Sequence, residues 1–173
     1  MTLSDESGDP RPMTLRPVTV ADHTDVLALN ERNVEVLAPM DADRLRELLA
    51  VADRAGVIDV DGTFAGFVLT FAAGSAYDGE NFGWFSERYD DFAYLDRVVI
   101  HEDFRRRGLG SLVYDELEST SGRPLFALEV NLDPPNHASL AFHAARGFTE
   151  VGQRVYGGHL VSMLVKTLAP ATP

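Results

Sequence analysis

Three consecutive arginines, Arg105, Arg106 and Arg107, stand directly before Gly108-Leu109-Gly110-Ser111. Behind them an apolar helical period begins, with Leu109, Leu112, Val113 and Leu117 on one face. Ahead of them lies the β-branched run Arg97-Val98-Val99-Ile100, which reads as a buried strand. A strand, a basic glycine-containing loop and a helix start together make an anion site. The first-turn amides of a helix have no intrahelical acceptor, and the helix dipole places partial positive charge there. Glycine lets a phosphate approach those amides, and arginine adds charge and donors. The following residues exclude two phosphate chemistries. A P-loop needs Lys-Ser/Thr after the second glycine, where Ser111-Leu112 stands, and a dinucleotide fingerprint needs a third glycine, where Val113 stands.

The bulk numbers narrow the partners. The 173-residue chain carries a net charge of -12, so there is little basic charge for a nucleic-acid surface. A local basic loop in an acidic chain suits a small polyanion. With no cysteine there is no disulfide, thiolate metal site or cysteine nucleophile. His23, His101, His137 and His159 have no metal-ligand spacing, and no metal is expected. No apolar run is long enough to cross a bilayer and the N-terminus lacks an apolar signal core, so no membrane partner and a cytoplasmic location are expected.

The elements that must position the loop follow from patterning. Residues 1–12 read as a disordered leader and 169–173 as a flexible tail, with one domain between. A short strand over 13–18 leads to a helix capped by Asp22, and Asp41 caps a second helix. Asp61-Gly62 joins two strands as a tight hairpin. Residues 74–91 form a long aromatic connection, read as a loop over a pocket in which Tyr77, Trp84 and Phe85 meet substrate. The strand over 92–100, the helix after Gly108, a strand over 124–131, a short helix ended by Gly147 and a final hairpin complete a mixed sheet flanked by helices.

That element order, with Arg105-x-x-Gly108-x-Gly110 after the fourth strand and Asn136, His143 and Gly147-Phe148 in order behind it, resembles the GNAT family of acyl-CoA-dependent N-acyltransferases. The resemblance spans residues 13–168. Its Asp133-Pro134-Pro135-Asn136 turn and the segment Tyr94-Leu95-Asp96-Arg97-Val98 are similar to a branch of acetyltransferases with no assigned substrate. It implies a single α/β (α+β) domain, with about seven mostly antiparallel strands splayed between the fourth and fifth and about four flanking helices.

The resemblance also implies acetyl-CoA as acyl donor. Its pantetheine would lie on Val98, Val99 and Ile100, its pyrophosphate on the amides of 106–111 beside Arg105, with Asn136 and His143 near the cofactor. A primary amine, carried by a small molecule or a peptide, would attack the thioester directly. Glu129 matches the position of a proposed base in one branch, with Asp96 as rival or as amine partner, paired with Arg97 or Arg16. His143 stands where the family has a tyrosine acid. On its helix it shares a polar face with Asn136 and Ser139, and an imidazole can supply a proton. Tyr114 and Tyr156 are further candidate acids. The alternative is a non-catalytic acyl-CoA-binding or sensing module of the same fold. Family members often dimerise, which leaves a homodimer open.

Overall fold

In chain order the elements are β1 (Met13–Pro17), α1 (His23–Glu31), α2 (Ala42–Val51), β2 (Arg54–Val60), β3 (Thr63–Ala72), α3 (Glu80–Ser86), β4 (Ala93–Ile100), α4 (Leu109–Thr120), β5 (Leu125–Asp133), α5 (His137–Ala145), β6 (Thr149–Tyr156) and β7 (His159–Thr167). They come from a computed structural model that describes residues 13–170. The expected leader and the last three residues of the expected tail lie outside the described residues. The strands form one seven-stranded sheet in the order β1-β2-β3-β4-β5-β7-β6.

Local chemistry accounts for most of these elements. Asp61 and Gly62 adopt φ of 53° and 77°, the left-handed pair that a two-residue turn between β2 and β3 requires. Asp41 caps α2 by accepting from Arg44 N at 2.7 Å. Asp22 precedes α1 but does not cap it with its side chain. Its buried carboxylate instead accepts from Thr19 N at 2.8 Å and Thr19 Oγ1 at 2.9 Å, and takes the Arg16 guanidinium at 2.8 Å. Those contacts, the Arg16 guanidinium foremost, hold its carboxyl well below the usual carboxylate range.

Each sheet face carries its own core. On one face Val26, Leu29, Leu45 and Leu48 of α1 and α2, with Phe82 and Phe85 of α3, pack on Phe67, Leu69, Phe71 and Met163. On the other, Leu109, Val113 and Leu117 of α4 pack on Val68, Phe126 and Leu128. The 74–91 connection is not a free loop. It contains α3, a fifth helix, whose aromatic residues enter the first core. Seven residues with Gly79 at the N-cap and Gly83 inside present neither a cap nor a readable stripe, so patterning misses it.

Two irregularities in β4 make room for a site. β4 and β5 run parallel and pair only at Ala93–Phe126 and Tyr94–Ala127, then part. The β5-side edge of Val98, Val99 and Ile100 is thereby left without a strand partner. In addition, Arg97 opposes Leu69 while Leu95 opposes Thr70, so Asp96 is the extra residue of a bulge. Before it, Tyr94 faces the α1–α3 core and Leu95 the α4–α5 core; after it, Val99 joins the first and Val98 and Ile100 pack on the second.

Candidate active site

The basic loop bends sharply. Arg106 has φ 62° and Gly108 φ 73°, both left-handed, and the first α4 bond runs from Leu112 N to Gly108 O. The amides of Leu109, Gly110 and Ser111 therefore precede any intrahelical acceptor. Arg105 is not a free cation: its Nε donates to the Ile100 carbonyl and its terminal nitrogen to Asn33 Oδ1, both at 3.2 Å. Arg106 and Arg107 are exposed, with Arg107 lying 5.2 Å from the Phe104 ring centroid.

Between the parted strands runs a groove of about 590 Å³, walled by Val98, Val99 and Ile100, by Gly110 and Tyr114 of α4, and by Asn136, Ser139 and His143 of α5. Asn136 caps α5 through its oxygen, which accepts from Ser139 N at 3.1 Å. Val36 and Leu37, between α1 and α2, line this groove and also a second, smaller cavity of about 90 Å³. That cavity holds Tyr77, Asp96, Arg97, Glu129 and Tyr156 on its wall.

The two carboxylates of the small cavity differ in their surroundings. Glu129 accepts from the Tyr94 hydroxyl at 2.7 Å, and Asn81 also favours its charged form. Burial, with the negative charge of Asp96 adding to it, outweighs both and pushes its carboxyl up to about 7. Asp96 accepts from Tyr77 Oη at 2.6 Å and from Arg97 Nε at 2.9 Å. Of the two arginines expected beside Asp96, Arg97 is the partner; Arg16 is engaged by Asp22 and Asp59. Arg97 is only 5% exposed and also donates to Asn30 Oδ1 at 2.6 Å and the Ala38 carbonyl at 2.9 Å.

His143 shares the groove wall with Asn136 and Ser139, as its spacing implies, but it is not an exposed side chain. The ring is buried among Tyr114, Phe142 and Phe148. It tolerates burial because both nitrogens are satisfied: Nδ1 lies 2.7 Å from the Ser139 carbonyl and Nε2 2.7 Å from Tyr114 Oη. A carbonyl can only accept, so Nδ1 carries the hydrogen and Nε2 accepts from the tyrosine. Burial first, then the Arg146 charge, pushes the imidazole below its ordinary value, and burial pushes the Tyr114 phenol up.

Of the three aromatic residues expected at substrate, Tyr77 alone reaches the cavity. Phe85 is fully buried and packs against Phe92 and Tyr94. Trp84 packs over Gly152, where an added Cβ would lie 2.7 Å from its ring, and is covered by Arg88 at 3.8 Å. An apolar pair at helical spacing serves the core first. Sequence reading passed over Tyr94, Asn81 and Asn33. Of these, Tyr94 alone carries a readable signal, two residues before Asp96 in the same strand. Among the described residues, no group of three or more acidic, histidine or cysteine side chains could hold a metal ion, and no helix is long and apolar enough to cross a membrane.

The model of the acetyltransferase (GNAT) family matches residues 24–148. The fold is similar to Ard1 from Thermoplasma volcanium (18% identity, TM-score 0.70, 91% of this chain and 98% of that chain). It is also similar to yncA from Salmonella typhimurium, solved with its cofactor acetyl-CoA (18% identity, TM-score 0.66, 94% and 97%). A third similar structure is the spermidine N-acetyltransferase SpeG from Vibrio cholerae (17% identity, TM-score 0.68, 90% and 93%). No curated protein matches the sequence.

Proposed function

The chain belongs to the GNAT acetyltransferase family, and from that premise we propose that it is an acetyl-CoA-dependent N-acetyltransferase acting on a primary amine. The observation that carries the reading is the parting of β4 and β5, which sets an anion-binding groove against a small acidic cavity with Val36 and Leu37 on the wall of both.

The residues fit the donor. The free edge of Val98, Val99 and Ile100 offers backbone groups to pantetheine amides, and the amides of 106–111 face a pyrophosphate. Arg106 and Arg107 supply positive field there. Asn136 spends its oxygen on the cap and keeps its amide hydrogens for the cofactor. Acetyl-CoA, when bound, supplies the activated acyl carbon.

Glu129 is the base. A carboxyl near 7 is both ionised and basic enough to take a proton at neutral pH. Asp96 holds the ammonium form of the incoming amine. Glu129 takes a proton from the ammonium group, the neutral nitrogen bonds to the acetyl carbon, the carbon–sulfur bond breaks with its pair on sulfur, and the second nitrogen proton leaves to water as the amide forms. The leaving thiolate is the step for which His143 was expected as acid. In this geometry its hydrogen sits on Nδ1, against Ser139. The Tyr114 phenol, pushed above its ordinary value near 10, would lose its proton uphill to a thiolate whose acid is near 8.5. Tyr114 has already given its one O–H to His143 Nε2, so it orders the groove wall and water supplies the proton.

The test is thiol release from acetyl-CoA with a panel of primary amines. Glu129→Gln should lower kcat/KM by about 10²–10⁴, with CoA affinity by calorimetry retained. Wild-type turnover in that variant refutes the base. Binding of CoA with no amine acetylated leaves the non-catalytic acyl-CoA module, and no binding removes both.

A further inference from the structure

The acetyl-transfer reading leaves the acceptor's chemistry open, and the walls of the small cavity narrow it. Six large apolar side chains are exposed among the described residues, and two of them, Val36 at 68% and Tyr156 at 37%, line this one cavity. They arrive from elements far apart in sequence, the α1–α2 connection and the end of β6. Leu37 lies beside them on the same wall.

The interior has the opposite character. Asp96 and Glu129 face the cavity, and Glu80 stands on its wall. Arg97 is the cation there, and it is already bound to Asp96, Asn30 and the Ala38 carbonyl. Arg154 is engaged nearby with Asn81 Oδ1 at 3.0 Å and Glu80 at 3.1 Å. A substrate carboxylate would have to displace Asp96 from Arg97 and then sit beside two carboxylates. With about 90 Å³ the interior has room for an amino head group of a few heavy atoms, and the remainder of the acceptor must lie against the mouth.

Resting on the acetyl-transfer reading, we infer that the acceptor is an amphiphilic primary amine: its amino group enters between Asp96 and Glu129, no carboxylate sits on the adjacent carbon, and an apolar substituent covers Val36, Leu37 and Tyr156. A free α-amino acid carries the excluded charge. A polyamine lacks the apolar part, and its further cations would lie against valine and tyrosine side chains.

Three matched probes test this by thiol release: 2-phenylethylamine, phenylalanine and spermidine. The expected result is a kcat/KM for 2-phenylethylamine at least about tenfold above both others, roughly the discrimination a modest apolar contact or one unfavourable charge supplies. Val36→Ser and Tyr156→Ser should each shrink that preference. Equal or better turnover of phenylalanine or spermidine overturns the inference and leaves acetyl transfer standing. Binding of acetyl-CoA with none of the three acetylated also overturns the inference, and acetyl transfer itself falls only when the full amine panel fails.

Discussion

Removing one hydroxyl should move the pH profile of this protein in a fixed direction. Tyr94 donates to Glu129 at 2.7 Å, which favours the charged carboxylate and draws its pKa down against the burial that raises it to about 7. Tyr94→Phe deletes that donor and keeps the ring, which is packed against Phe82 and Phe85. A hydrogen bond to a charged group contributes about 1.5–3 kcal/mol. Asn81 remains to compensate in part, so a net loss of about 1.4 kcal/mol is reasonable, equivalent to about one pH unit. The acidic limb of kcat/KM should then rise from near pH 7 to about pH 8. At pH 7 the ionised fraction falls from about one half to about one tenth, a roughly fivefold loss, while at pH 9.5 the two proteins nearly converge. The assay is thiol release across pH 5.5–9.5, with circular dichroism to establish that the variant is folded. A limb that stays in place, or moves to lower pH, would refute the assignment of Glu129 as the titrating base.

Glu129 should also cost stability, because its raised carboxyl binds a proton more tightly in the folded chain than in the unfolded one. That cost is absent below about pH 4.5 and complete above about pH 7, so Glu129→Gln should raise Tm by about 5 °C at pH 8, from about 2 kcal/mol after discounting for partial exposure, and by almost nothing at pH 4. Gly66 sits at φ 154° with the Val99 carbonyl 2.1 Å from where a Cβ would stand. Gly66→Ala should therefore destabilise by at least about 3 kcal/mol, read as a Tm about 10 °C lower, and an unchanged Tm would show that β3 and β4 separate easily. Tyr114→Phe should lower kcat by less than about tenfold, since a hydrogen bond and not a proton is lost, and a thousandfold loss would identify the phenol as the acid after all.

The parts of the fold that were legible were those written in short-range chemistry. Asp61-Gly62, the Asp41 cap, the α4 stripe and the basic glycine loop each announce themselves within a few residues. The family resemblance rested on the spacing of two such stretches, and the match over residues 24–148 and the parted β4 and β5 agree with it. What stayed hidden depends on where a side chain ends up. Phe85 and Trp84 look like pocket aromatics until α3 turns them inward or lays them on β6. His143 looks exposed by helical spacing until Tyr114, from another helix, satisfies its far nitrogen. Tyr94 and Glu129, 35 residues apart, share a hydrogen bond that no local pattern encodes.

The bulge at Asp96 gives β4 something like a change of reading frame. Upstream the even-numbered Tyr94 looks toward the α1–α3 side, and downstream the odd-numbered Val99 does. A strand that keeps one phase can serve only one client per face; this one presents Tyr94 to Glu129 and, a few residues on, Val98 to the groove beside α4. The extra residue therefore does more than add a carboxylate. Pairing Asp96 in a regular ladder, without the bulge, would turn the Arg97 guanidinium toward the apolar α4–α5 core and exchange the walls of the two cavities. A strand without that bulge could keep every motif and still set its two cavities on the wrong sides of the sheet.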